Sequence, residues 1–127
     1  MTASWIVPVS DGLLLPDLLD VKEGSGFVEL TLMISPELPC FAGHFDGFPL
    51  VPGVVQVGWV VTLATRFLSI NSQVKFIEKL KFTHPIQPNQ QIHLVIKRAD
   101  NGQAIDFTYK NKDRPCAQGR VVFVDEE

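Results

Sequence analysis

His44 stands between Gly43 and Phe45 in a compact loop, with Asp46 close behind and a Pro52-Gly53 step further on. An imidazole, with an ordinary pKa of about 6.5, exchanges a proton near neutral pH. Pro52-Gly53 reads as the opening of a helix, because proline loses no hydrogen bond there and glycine lets other atoms approach the backbone. The unpaired N–H groups of such a terminus, aided by the helix dipole, favour negative charge developing on an oxygen. One short stretch therefore joins a proton-exchanging ring to an oxygen-holding helix end. Each feature alone has a plainer reading: a lone loop histidine is usually structural or solvated, and Pro-Gly is usually punctuation.

The elements that must position this stretch follow from hydrophobic periodicity. Val54 to about Ile70 reads as a helix of about 25 Å, apolar on nearly every face, so it must be surrounded. Ahead of it, Phe27 to Ile34 alternates apolar and mixed residues with the period of a half-buried strand, punctuated at its start by Gly24 and Gly26. Behind it, Val74 to Phe82, Gln91 to Arg98, Gln103 to Lys110 and Cys116 to Val124 each alternate as strands. Asp100-Asn101-Gly102 is a hairpin signal and Asn111 to Pro115 a second turn. Trp5 to Val9 fits a short strand and Asp11-Gly12 a turn, whereas Leu13 to Val21 fits a short helix or irregular chain. The resulting architecture is one helix inside an antiparallel meander.

A chain of 127 residues with 46% hydrophobic and 20% charged residues is expected to form a single domain over 1–127. Its formal charge of -3 argues against a nucleic-acid binder, although residues 71–127 hold nine of the eleven basic residues. The apolar run from Leu50 to Ile70 is broken by Gln56, Thr62, Thr65 and Arg66, so no membrane span is expected. Cys40 and Cys116 fit no metal spacing, and no signal sequence is evident at the start, so a cytoplasmic location is the expectation. His84 and His93 receive no role. Lys75, Lys79 and Lys81 read as a solvated strand face, with docking of an acidic carrier protein the lesser reading.

The stretch Phe41-Ala42-Gly43-His44-Phe45-Asp46-Gly47-Phe48-Pro49-Leu50-Val51-Pro52-Gly53-Val54 resembles the active-site motif F-x-G-H-F-P-x-x-P-x-x-P-G-V of the hotdog-fold 3-hydroxyacyl-[acyl-carrier-protein] dehydratases. Phe82-Thr83-His84-Pro85-Ile86-Gln87-Pro88-Asn89-Gln90 resembles a second family stretch, F-x-x-P-V-x-P-G-D, with Asn89 and Gln90 in place of its last two residues. Pro52-Gly53-Val54-Val55-Gln56 followed by Trp59 is similar to a subgroup encoded with aryl polyene pigment synthesis. The resemblance implies an α+β hotdog fold, a long central helix wrapped by an antiparallel sheet. It implies dehydration of 3-hydroxyacyl thioesters to trans-2-enoyl thioesters on an acyl carrier protein with a phosphopantetheine-linked chain, without metal or other cofactor. The implied assembly is a homodimer or a dimer with a related subunit.

Carried over residue by residue, His44 matches the family's base, and the N–H groups at Gly53 and Val54 would face the thioester oxygen. Phe41, Phe45 and Phe48 fit an acyl tunnel or plain packing equally; Trp59 is core first and substrate wall second. The family's acid stands fourteen residues after the histidine, and that position here is Gly58; the family's helix Gln falls at Thr62. Gln56 is a poor replacement, lying about 200° of helix rotation from Gly58 and being an amide. Thr62 and Thr65 share the face of Gly58 and suit a bound water, while Asp46 is a candidate proton donor or orienter. The dehydratase reading thus competes with a noncatalytic acyl-thioester-binding partner subunit and with a hotdog thioesterase.

Overall fold

A computed structural model of the protein describes residues 14–41, 48–99 and 102–124. Among these residues six strands and one α-helix are found: β1 (Asp17–Gly24), β2 (Phe27–Met33), α1 (Gly53–Leu68), β3 (Val74–Phe82), β4 (Gln91–Arg98), β5 (Ala104–Asn111) and β6 (Arg114–Phe123). A 3-10 turn, Pro39–Phe41, precedes the histidine loop. All strand pairings are antiparallel, and the sheet packs around α1 as a hotdog.

The strand order is β1-β2-β4-β5-β6-β3, which corrects the expected simple meander. Chain neighbours β4, β5 and β6 do meander, but β3 lies at the far edge, paired only with β6. The connection through α1 makes this possible: a helix of 16 residues spans about 24 Å, against about 19 Å for the four strand spacings between β2 and β3. A second correction concerns Leu13 to Val21, for which a short helix or irregular chain was expected. Residues 17–24 are a strand, and its register slips between Leu18 and Asp20, leaving Leu19 as a bulge. The extra residue places core-contacting Leu18 and Val21 three apart rather than two, which erases the period-two signature. Trp5 to Val9, Asp11-Gly12, Asp100 and Asn101 lie outside the described residues.

The remaining boundaries follow the sequence pattern closely. In β2, Val28, Leu30 and Leu32 are fully buried, and across the sheet Ile92, Leu94 and Ile96 of β4 join them. They meet Trp59, Val60, Leu63 and Ala64 on α1, which are also fully buried. Each such large side chain contributes on the order of 1.5–3 kcal/mol by leaving water. The turn between β1 and β2 uses Gly26 at φ 78, and the Asn111–Arg114 turn bends through Lys112 at φ 59. α1 ends at Ser69, whose left-handed backbone stops the helix.

The buried Tyr109 hydroxyl on β5 donates to the Gln56 carbonyl at 2.6 Å, fixing the first turns of α1 to the sheet. Burial holds the phenol well above its ordinary pKa, so it stays a neutral donor. Tyr109→Phe is expected to lower unfolding free energy by about 1–2 kcal/mol in a urea titration, without changing the m-value.

Candidate active site

The N-terminus of α1 is built by clamping the residues just before it. Val51 donates its N–H to Ile86 O at 2.8 Å and accepts from Gln56 Nε2 at 3.1 Å. Pro52 is extended (φ -61, ψ 149), and its carbonyl takes the N–H groups of Val55 and Gln56 at 3.0 and 3.1 Å. Gly53 and Val54 then have N–H groups with no carbonyl behind them in the helix. Val54 is 52% exposed, whereas residues 57 to 61 are buried, so α1 meets solvent at this end.

A cleft of about 270 Å³ opens beside this terminus, lined among others by Val51, Gly53, Gln56, Phe82, Thr83 and His84. The end of β3 forms its other wall. Thr83 and His84 donate their N–H groups to Cys116 O at 2.8 and 3.2 Å, and the His84 Nδ1 lies 3.0 Å from Pro115 O. A carbonyl only accepts, so that nitrogen carries a proton. The Phe82 ring covers Gly53 so closely that a Cβ there would come within 2.7 Å of Phe82 Cζ. Two larger cavities, of about 570 and 510 Å³, lie around His93 and include no residue of α1.

Gly58 and Thr62 fall on a different side of α1, Gly58 being about 140° of rotation from Gly53. Gly58 is buried, and the Thr62 hydroxyl is buried without a hydrogen-bond partner, while the Thr65 hydroxyl donates to Val61 O at 3.0 Å. No residue of α1 is acidic. Gln56 spends its amide N–H on Val51 O, and its Oε1 is buried without a partner. Trp59 is fully buried and its indole donates to Leu14 O at 3.1 Å, as suits a core residue. Phe41 packs against the core and Phe48 is 52% exposed. Burial raises the thiol pKa of both Cys40 and Cys116, which makes neither a ready nucleophile. His44, Phe45 and Asp46 lie outside the described residues.

His84, a member of this cleft, had no role assigned from its sequence pattern. Its one signal was its place inside the second matched stretch; its approach to Gly53 depends on how β3 joins β6, which no local pattern encodes. A sequence model of the ApeI-like family, described as ApeI dehydratase, matches residues 20–120, a span that includes both motifs, α1 and His84.

The chain belongs to the ApeI-like dehydratase family.

Among curated relatives, the 3-hydroxyacyl-[acyl-carrier-protein] dehydratase FabZ of Haemophilus influenzae is 32% identical over 93 residues, which cover 67% of this chain and 62% of that protein. The chain therefore spans about three fifths of the length of the first curated relatives it matches. FabZ of Pelotomaculum thermopropionicum is 31% identical, with 87% of this chain and 86% of that protein covered. Of solved structures, a chain of the dehydratase heterocomplex ApeI:P from Xenorhabdus doucetiae superposes with a TM-score of 0.82 at 27% identity, covering 88% of this chain and 100% of that one. An uncharacterized protein from Erwinia carotovora subsp. atroseptica gives 0.75 at 35% identity, covering 87% and 97%. No helix among the described residues of this ApeI-like chain is long and apolar enough to cross a membrane.

Because the Phe82 ring can swing outward, Gly53→Ala is expected to change stability by less than about 1 kcal/mol. Its effect falls on the cleft: ligand affinity at the α1 terminus drops about tenfold or more by calorimetry, and adding Phe82→Ala recovers most of that loss.

Proposed function

We propose that this chain dehydrates 3-hydroxyacyl thioesters carried on an acyl carrier protein, giving trans-2-enoyl thioesters, with a chain of the aryl polyene type as the specific substrate. The observation that carries this reading is membership of the ApeI-like family across both motifs, together with an α1 N-terminus whose Gly53 and Val54 N–H groups have no acceptor among the described residues. His44 serves as the base that removes the proton beside the thioester carbonyl. Charge builds on the carbonyl oxygen as the proton leaves, and the Gly53 and Val54 N–H groups stabilise it. Phe45 lines the acyl path. The departing hydroxyl takes a proton from Asp46, or from a water held at Gly58 and Thr62 on the helix of a second copy, and leaves as water.

Gly58 favours a second reading. Where the family motif has a carboxylic acid, this helix has none, and loss of a general acid typically costs about 10²- to 10⁴-fold in rate. A noncatalytic acyl-thioester-binding subunit paired with an acid-bearing relative fits that absence, and the ApeI:P structure is by its own description a dehydratase heterocomplex. Purified protein is incubated with 3-hydroxyacyl carrier protein and the intact mass followed. Loss of water, reduced about 10²-fold or more by His44→Ala, is the expected result. Binding without loss of water, restored on adding a related acid-bearing subunit, supports the second reading instead, and loss of the acyl group would indicate a thioesterase.

Pairing with a second copy or a related subunit is proposed along β3. This edge strand exposes Phe76, Leu80 and Phe82 by 41%, 44% and 47%, interleaved with exposed Lys75, Lys79 and Lys81. Open backbone groups beside apolar side chains favour strand-to-strand association. Sedimentation velocity is expected to show a dimer, shifted towards monomer by Phe76→Lys; a wild-type monomer at micromolar concentration refutes the pairing.

A further inference from the structure

We infer that the cleft beside the α1 terminus seats the amide-bearing arm through which the acyl thioester is carried, with the Gln56 carboxamide recognising the arm's amide N–H. The inference rests on the thioester reading above and adds a specificity-determining residue to it.

Gln56 is only 3% exposed, yet its Oε1 has no hydrogen-bond partner. The orientation of the amide is set by its neighbour: the atom 3.1 Å from Val51 O must be the nitrogen, because two carbonyl oxygens repel, so the acceptor end is the one left over. A buried acceptor without a donor is rare in folded proteins and asks for an occupant. Gln56 lines the cleft together with Gly53 and His84, so a donor entering the cleft would meet it there. A lone acceptor repels an anion and suits an N–H.

The spacing agrees with a pantetheine-type arm. Gln56 is three residues beyond Gly53, about 4.5 Å along the helix axis and on nearly the same face. In such an arm two carbons separate the thioester sulfur from the nearest amide nitrogen, which puts that N–H about 5 Å from the thioester carbonyl. A carbonyl oxygen at the Gly53 and Val54 N–H groups therefore brings the amide within reach of Gln56. The cleft, at about 270 Å³, has room for this part of an arm.

The test uses stable ligands and needs no turnover. A pantetheine thioether bearing a 2-oxoalkyl group is compared by calorimetry with an isostere in which the amide nearest sulfur is an ester, so that only the N–H is lost. Wild-type protein is expected to bind the amide about tenfold more tightly, and Gln56→Met, checked for folding by thermal denaturation, to bind both alike. Equal binding by wild type, or a tenfold preference kept by folded Gln56→Met, overturns the role of Gln56 and leaves the thioester reading standing. Failure of wild type to bind either ligand overturns both.

Discussion

A helix with apolar side chains on all its faces cannot rest on a surface, and that constraint organises this protein. α1 carries Trp59, Val60, Leu63 and Ala64 fully buried, so the sheet has to curl around it rather than lie beneath it. Curling leaves the helix two ends at which its backbone can meet anything but core. The C-terminal end is closed by left-handed Ser69 and by the Arg98 guanidinium donating to Leu68 O. Among the described residues the N-terminal end stays open, with Val54 half exposed and Pro52 offering no side-chain cap. Thus the demand that buries the helix also selects where a ligand can use its dipole.

Much of this was legible because local and global signals agree. β3 and β4 begin and end where their alternation predicts, and α1 begins one residue before the expected start. Asn89 is instructive: it replaces a glycine of the family stretch and has φ 69, a conformation that asparagine tolerates better than most residues, so the turn survives the change. Illegibility has equally physical causes. A bulge at Leu19 disguises β1 by giving its inward residues a helix-like spacing. The far-edge position of β3 is a matter of topology, which alternation does not record. For the same reason nothing local to His84 marks it, since its place is set by the bonds of the β3 end to Pro115 and Cys116.

Edge position also explains the pattern of β3 itself. Alternation would hide Phe76, Leu80 and Phe82 on one face, but the register slips between Glu78 and Lys81, with Lys79 at φ 57. Ile77 and Val74 turn to the core while the aromatic and leucine side chains stand half exposed. A lone edge strand of this kind is an aggregation hazard, and its three lysines are the usual counterweight. The same strand ends in Phe82, whose ring roofs Gly53. Anything that reshapes this edge therefore also reshapes the mouth of the cleft.

The helix terminus divides its labour by rotation. Gln56 and Gly53 lie on the cleft side, whereas Gly58 and Thr62 lie across the helix, where the family motif has its acid. A carboxylate at position 58 would be a buried charge beside Trp59 and Val57, costly unless a partner or substrate compensates it. Gly58 removes that cost and leaves the Thr62 hydroxyl, buried and unpaired, as the polar remnant of that face. The holding side, in contrast, keeps its polar groups: the open N–H groups, the Gln56 amide and the His84 ring. Because the two sides share only the helix backbone, a change of side chain on one leaves the polar groups of the other in place.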